Sequence, residues 1–136
     1  MAWEFDPFFF RDKRALLSGA AGFLGSHLVE RLLSLGCRVT GLDNFSTGNP
    51  ANLAAVRKSD GFNLVEADVA IDAPVAGHFH FVVHLASPAS PVDYRRLSIE
   101  TMLVNSLGTK NLLDLALQSG AVFLLASTSE VYGDPL

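Results

Sequence analysis

Three observations predict an α/β fold, a doubly wound parallel sheet with helices on both faces. From Arg14 onward, short apolar runs rich in β-formers alternate with longer segments of helical period. Runs such as Phe81-Val82-Val83 and Val122-Phe123-Leu124-Leu125 are apolar without alternation, as strands covered on both faces by helices are. A glycine-rich turn lies between the first apolar run and the first helical segment, where a strand would hand over to a helix.

In chain order, residues 1–13 read as an amino-terminal extension and 14–136 as the domain. Glu4, Asp6 and Asp12 interrupt the aromatic start, so it reads as neither a signal peptide nor an anchor, and Phe8, Phe9 and Phe10 read as local packing rather than a docking segment. Strands are expected at Ala15–Ser18, Arg38–Leu42, Asn63–Glu66, Phe79–Leu85 and Val122–Ala126. Between the first two, Leu24, Leu28, Val29, Leu32 and Leu33 recur at three- and four-residue spacing and make one apolar helix face, with Gly36 as its stop. A second long helix is expected from about Ile99 to Gln118. Its Leu103, Leu107, Leu112, Leu115 and Ala116 would face the sheet, and Gly120 lies just past its end. Pro88 and Pro91 should keep the preceding loop from becoming helical, and Tyr94-Arg95-Arg96 reads as a solvated helix start.

The 136 residues suit one domain, and 49% hydrophobic with 18% charged residues is a globular balance. A net charge of −4 without a basic run gives no pull toward nucleic acid or an anionic membrane, and no stretch is long and apolar enough to span one. Cys37 has no second thiol to pair with, so a reducing, cytoplasmic setting is expected. His78, His80 and His84 share a strand face, but no carboxylate or cysteine sits at ligand spacing, and no metal site is expected.

Right-handed crossovers would place Gly19 to Gly25, Asp43, Asp68, Ser87 and Thr128 together on the carboxyl edge of the sheet, where ligands of such folds bind. Ser18-Gly19-Ala20-Ala21-Gly22-Phe23-Leu24-Gly25 has the form of a dinucleotide-binding turn. Gly19 would make the tight turn, Gly22 admit a pyrophosphate, and Gly25 allow close helix-to-strand packing. Asp43, 24 residues after Gly19, would accept hydrogen bonds from both hydroxyls of an adenosine ribose and repel a 2′-phosphate. Asn44 follows it rather than arginine, so NAD is expected over NADP. Asp43 also suits the cap of a turn, and Asp68 admits the same two readings, with adenine as its ligand contact.

The three-residue spacing of the first glycines resembles the extended short-chain dehydrogenase/reductases, whose core is the Rossmann fold. Asp43-Asn44-Phe45-Ser46-Thr47-Gly48 resembles the loop after the second strand in their NAD-dependent epimerase/dehydratase branch. His84-Leu85-Ala86-Ser87-Pro88-Ala89-Ser90-Pro91 and Ala126-Ser127-Thr128-Ser129-Glu130-Val131-Tyr132-Gly133-Asp134-Pro135 are similar to UDP-glucuronate decarboxylases in particular. The similarity runs from about Arg14 to Leu136.

This resemblance implies NAD as cofactor and a UDP-sugar as substrate. Gly22, Phe23 and Leu24 would lie along the pyrophosphate, and Asp43, Asn44, Ser46 and Thr47 around the adenosine. Asp68 and Val69 would lie at the adenine, and Leu85, Ala86 and Ser87 near the nicotinamide half. Thr128 would bond the sugar hydroxyl that is oxidised, Ser129 and Glu130 would serve the carboxylate-bearing end, and Tyr94 and Asn111 would lie toward the sugar nucleotide. The implied reaction is decarboxylation of UDP-glucuronate to UDP-xylose through a 4-keto intermediate, in a dimer paired through long helices. An epimerase, a 4,6-dehydratase or a catalytically inactive NAD-binding short form are the alternatives. Ser129 favours the decarboxylase, because dehydratases tend to carry Asp-Glu at this pair.

Three departures stand against the resemblance. A tyrosine followed four residues later by lysine, the superfamily's base, is absent: Ser98 follows Tyr94 at that distance and Leu136 follows Tyr132. Truncation before that pair and before a carboxy-terminal substrate domain is the expectation, leaving the present chain inactive alone. Leu117-Gln118 stands where many decarboxylases have a basic pair, and Leu103 stands where they have a lysine.

Overall fold

A computed structural model describes Asp6 and residues 8–134, except the side chains of Ser129 and Glu130. The elements are β1 (Arg14–Ser18), α1 (Phe23–Ser34), β2 (Arg38–Asp43), β3 (Phe62–Glu66), β4 (Phe81–His84), α2 (Pro91–Arg96), α3 (Ser98–Leu103), α4 (Thr109–Ser119) and β5 (Val122–Leu125). Short 3-10 turns at Pro50–Leu53 and Ser129–Tyr132 and a π-turn at Val104–Gly108 complete them. The five strands are all parallel, in the order β3-β2-β1-β4-β5. This is the Rossmann arrangement, with β1 at the centre and the strand order reversing between β1 and β4.

Alternation along β1 divides the core between the two faces of the sheet. Ala15 and Leu17 pack with Val29 and Leu32 of α1 and with Val39, while Leu16 packs with Leu112 and Ala116 of α4 and with Leu42 and Val82. Helices on opposite faces are what a continuous apolar strand requires. Phe10 joins the α1-side core, its ring 5.4 Å from that of Phe81, and Phe8 and Phe9 remain largely exposed.

Four expectations are corrected. The loop before the long helix contains a helix of its own, α2, because Pro91 takes the first helical position, where its missing N–H goes unused. Ser90 caps it, accepting from the Asp93 amide at 3.1 Å, and Tyr94-Arg95-Arg96 therefore ends a helix rather than starting one. The expected helix from Ile99 to Gln118 is present and runs unbroken from Ser98 to Ser119, but it takes in a π-turn at Val104–Gly108, whose extra residue shifts the phase between its two halves. Leu107 is turned outward, 48% exposed, because it stands five residues before the buried Leu112, about 140° round the helix, whereas Gly108, four residues before it, takes the buried position. Leu24 also points out, since α1 buries Gly25, Ser26, Val29 and Leu32. Last, β5 is not covered on both faces by the described residues: Val122, Leu124 and Leu125 are all exposed.

Candidate dinucleotide-binding site

The site begins with the turn after β1. Gly19 has φ +73°, and a Cβ there would lie 2.8 Å from the Leu85 carbonyl carbon and the Ala86 nitrogen. At Gly25 a Cβ would lie 1.9 Å from the Gly19 oxygen, so no side chain fits while α1 starts this close to the turn. The Gly19 and Ala20 amides donate to the Leu42 carbonyl at 2.8 and 3.2 Å, which ties the turn to the end of β2. Gly22 is the N-cap of α1 and offers no side-chain cap, so the first amides of the helix are left for an external acceptor.

Asp43 closes β2, nearly buried at 8% exposure. One carboxylate oxygen accepts from the Ala21 amide and the other from the Phe45 amide, each at 2.8 Å. The turn-capping role and a place in the crevice are therefore held together by one side chain. Each oxygen accepts a single bond here and keeps a lone pair for a further donor. Asn44 donates to Asp68 at 3.1 Å, and the other Asp68 oxygen accepts from the Ala70 amide at 2.9 Å, which joins the loops after β2 and β3.

These loops form a crevice at the carboxyl edge beside the strand-order reversal. Of the residues the sequence singles out, Gly19, Gly22, Asp43, Asn44, Ser46, Thr47, Asp68, Val69, Leu85, Ala86 and Ser87 line it. Phe23, Leu24 and Gly25 lie just outside that lining, in the first turn of α1, where Phe23 is exposed and stacks edge-on against His27 at 5.1 Å.

The substrate-side candidates are less gathered. Asn111, part-buried on α4, donates to the Val69 carbonyl at 2.9 Å and tethers the loop after β3 rather than lining the crevice. Tyr94 lies on α2, also away from the lining. Thr128 is exposed beyond the end of β5, on the same edge of the sheet. The side chains of Ser129 and Glu130 lie outside the described residues. Glu100 and Val104 line the crevice although the sequence did not single them out. Their approach depends on where α3 and the π-turn cross the sheet, which no local motif records. Among the described residues no group of three or more His, Cys, Asp or Glu is placed to hold a metal, and no helix is long and apolar enough to cross a membrane.

The fold and crevice define the class as a dinucleotide-binding Rossmann protein. Residues 15–136 match the NAD dependent epimerase/dehydratase family, and the chain belongs to it. It is 46% identical over 123 residues to UDP-glucuronic acid decarboxylase 1 of Arabidopsis thaliana and 47% identical over 123 residues to UDP-glucuronic acid decarboxylase 1 of Danio rerio. Each match covers 90% of this chain but 28% and 29% of those relatives, so the chain spans less than a third of their length. Among solved structures it is similar to the Bordetella bronchiseptica enzyme WbmH in complex with NAD+, at TM-score 0.73 and 27% identity over 92% of this chain and 42% of that one.

NAD is the cofactor of the family, and the crevice fits it. The glycine turn leaves no side chain between α1 and the approach to its amides, and Asp43 retains acceptor capacity for ribose hydroxyls. The described lining includes Asp43, Asp68 and Glu100 and no cationic side chain, which suits a ribose without a 2′-phosphate.

Proposed function

We propose that this chain is the NAD-binding portion of a nucleotide-sugar enzyme that converts UDP-glucuronate to UDP-xylose. The observation that carries the reading is the convergence of the Gly19–Gly25 turn, Asp43 and the loops after β3 and β4 on one crevice. The 46% and 47% identity to two decarboxylases over 123 residues, 90% of this chain, supports the choice of reaction.

When bound, NAD supplies the hydride acceptor for C4 of the sugar and returns the hydride after carboxylate loss. Oxidation at C4 places the C6 carboxylate β to a carbonyl, so that its C–C bond can break to release CO₂ and leave an enolate. The chain's part is to hold and to balance charge. The free amides at the start of α1 would take the pyrophosphate and Asp43 the adenosine ribose. On the substrate side, the Thr128 hydroxyl would steady charge on the C4 oxygen, Glu130 would deliver the proton that replaces CO₂ at C5, and Ser129 would assist at that end. Asn111 would act on the site through Val69, and Tyr94 toward the nucleotide. Pairing of two copies through α3 and α4 belongs to the same reading.

The decisive assay supplies UDP-glucuronate and NAD⁺ to the protein at its natural length. Release of one CO₂ per UDP-pentose formed supports decarboxylation, whereas conversion to an epimeric UDP-hexuronate without CO₂ assigns the protein to an epimerase. Asp43→Asn should weaken NAD binding about 10- to 100-fold in calorimetry, the loss expected for a bond to a charged acceptor.

A further inference from the structure

The crevice has a buried support that the proposed chemistry does not use. His84, the last residue of β4, is 1% exposed and lies opposite Ser18, the last residue of β1. Its Nδ1 is 2.7 Å from the Ser18 hydroxyl, and its Nε2 is 3.3 Å from the Val104 carbonyl. A carbonyl can only accept, so Nε2 carries the proton. In a neutral ring Nδ1 is then the acceptor, and Ser18 donates to it.

Val104 opens the π-turn, and its carbonyl also accepts the Thr109 amide, the wide i to i+5 bond that defines such a turn. On that same turn, Val104 lines the crevice and Asn105 donates to the Ser87 hydroxyl at 2.8 Å. Ser87 in turn belongs to the loop that follows His84. One imidazole therefore touches the residue before Gly19, begins the loop through Ser87 and holds the turn that carries Val104 and Asn105.

We propose that His84 is a positioning residue whose bond to Val104, braced by its bond to Ser18, fixes the π-turn, and with it the stretch of crevice wall made by Val104 and by Ser87, which Asn105 holds. Burial lowers the pKa of the ring and keeps it in the neutral form that this bonding requires. The inference rests on the reading of the crevice as the NAD site, but the ring's hold on the π-turn is measurable without NAD. A core histidine that merely filled space would be replaced by leucine without effect on the turn.

The test compares the protein with its His84→Leu and His84→Gln variants by amide hydrogen exchange and NAD titration. Leucine should speed exchange at the Thr109 amide about 10-fold relative to β1 and β2 and weaken NAD binding by about the same factor. Glutamine, able to accept from Ser18 and donate to Val104, should restore most of both. The proposal is overturned if the leucine variant keeps the parent exchange at Thr109, or if glutamine does no better than leucine. Should leucine prevent folding, the ¹⁵N spectrum of His84 in the unmodified protein decides: a proton on Nε2 sustains the proposal, and a proton on Nδ1 overturns it. Failure of the unmodified protein to bind NAD would remove the proposed function, while the exchange result would still judge the hold on the π-turn.

Discussion

Strands β1 and β5 are built from the same kind of residues and meet opposite fates. In β1, Leu16 and Leu17 are fully buried, because β2 and β4 flank the strand and helices cover both faces. In β5, Leu124 and Leu125 are 53% and 48% exposed, because the strand pairs with β4 on one side and no described element covers its outer part. Apolar content states what a strand needs; neighbours decide whether it is met. The same contrast divides the site: the glycine turn and Asp43 stand on the completed side of the sheet, and Thr128 follows the exposed strand.

The largest effect should come from Gly25→Ala, which drives a methyl into the Gly19 carbonyl at the junction of α1 and the turn. We expect a loss of about 3 kcal/mol or more in urea unfolding, at the upper end for forced overpacking, together with loss of NAD binding. A tolerated alanine would mean that the completed side is looser than its geometry implies. Next comes a matched pair. Leu16→Ala should cost about 2–5 kcal/mol as a core truncation, and Leu124→Ala about 0.5 kcal/mol or less. Equal losses in chemical denaturation would erase the distinction between the strands, and in a longer chain an increased cost at Leu124 would report what covers β5.

The smallest effect concerns pH. Burial lowers the His84 pKa below its ordinary 6.5, so above that value the ring is neutral in both folded and unfolded chains and its contribution is complete. As pH falls through 6.5 the unfolded chain takes up a proton that the folded chain refuses, and stability declines until the lower folded pKa is passed. Unfolding free energy measured between pH 7.5 and 5.5 should fall more in the parent protein than in His84→Gln. A slope unchanged by that substitution would show that other groups govern the pH response.

Much of the fold was legible because its signals are local. Glycines at 19, 22 and 25, an aspartate 24 residues after the first of them, and apolar runs of strand length each follow from backbone sterics and burial within a few residues. The π-turn left only a faint trace: Leu103 and Leu112 stand nine residues apart, about half a turn out of phase in a regular helix, so both can approach the sheet only if the helix takes in an extra residue. Nothing in that period shows that Val104 will turn its carbonyl toward a histidine 20 residues earlier. Pro91 misled for a related reason: the residue that excludes a helix interior is favoured at its first position, and the choice rests on the Ser90 cap.

By itself, then, the sequence determined the doubly wound class, the place of the glycine turn and the carboxylate suited to a ribose, since each depends on chain stereochemistry or short spacing. Tertiary structure alone decided that Glu100 and Val104 reach the crevice, that Asn111 serves Val69 and that the described residues leave the outer part of β5 uncovered. Those outcomes depend on which elements meet across the sheet, and contacts between residues far apart in the chain are not encoded in any one segment's pattern.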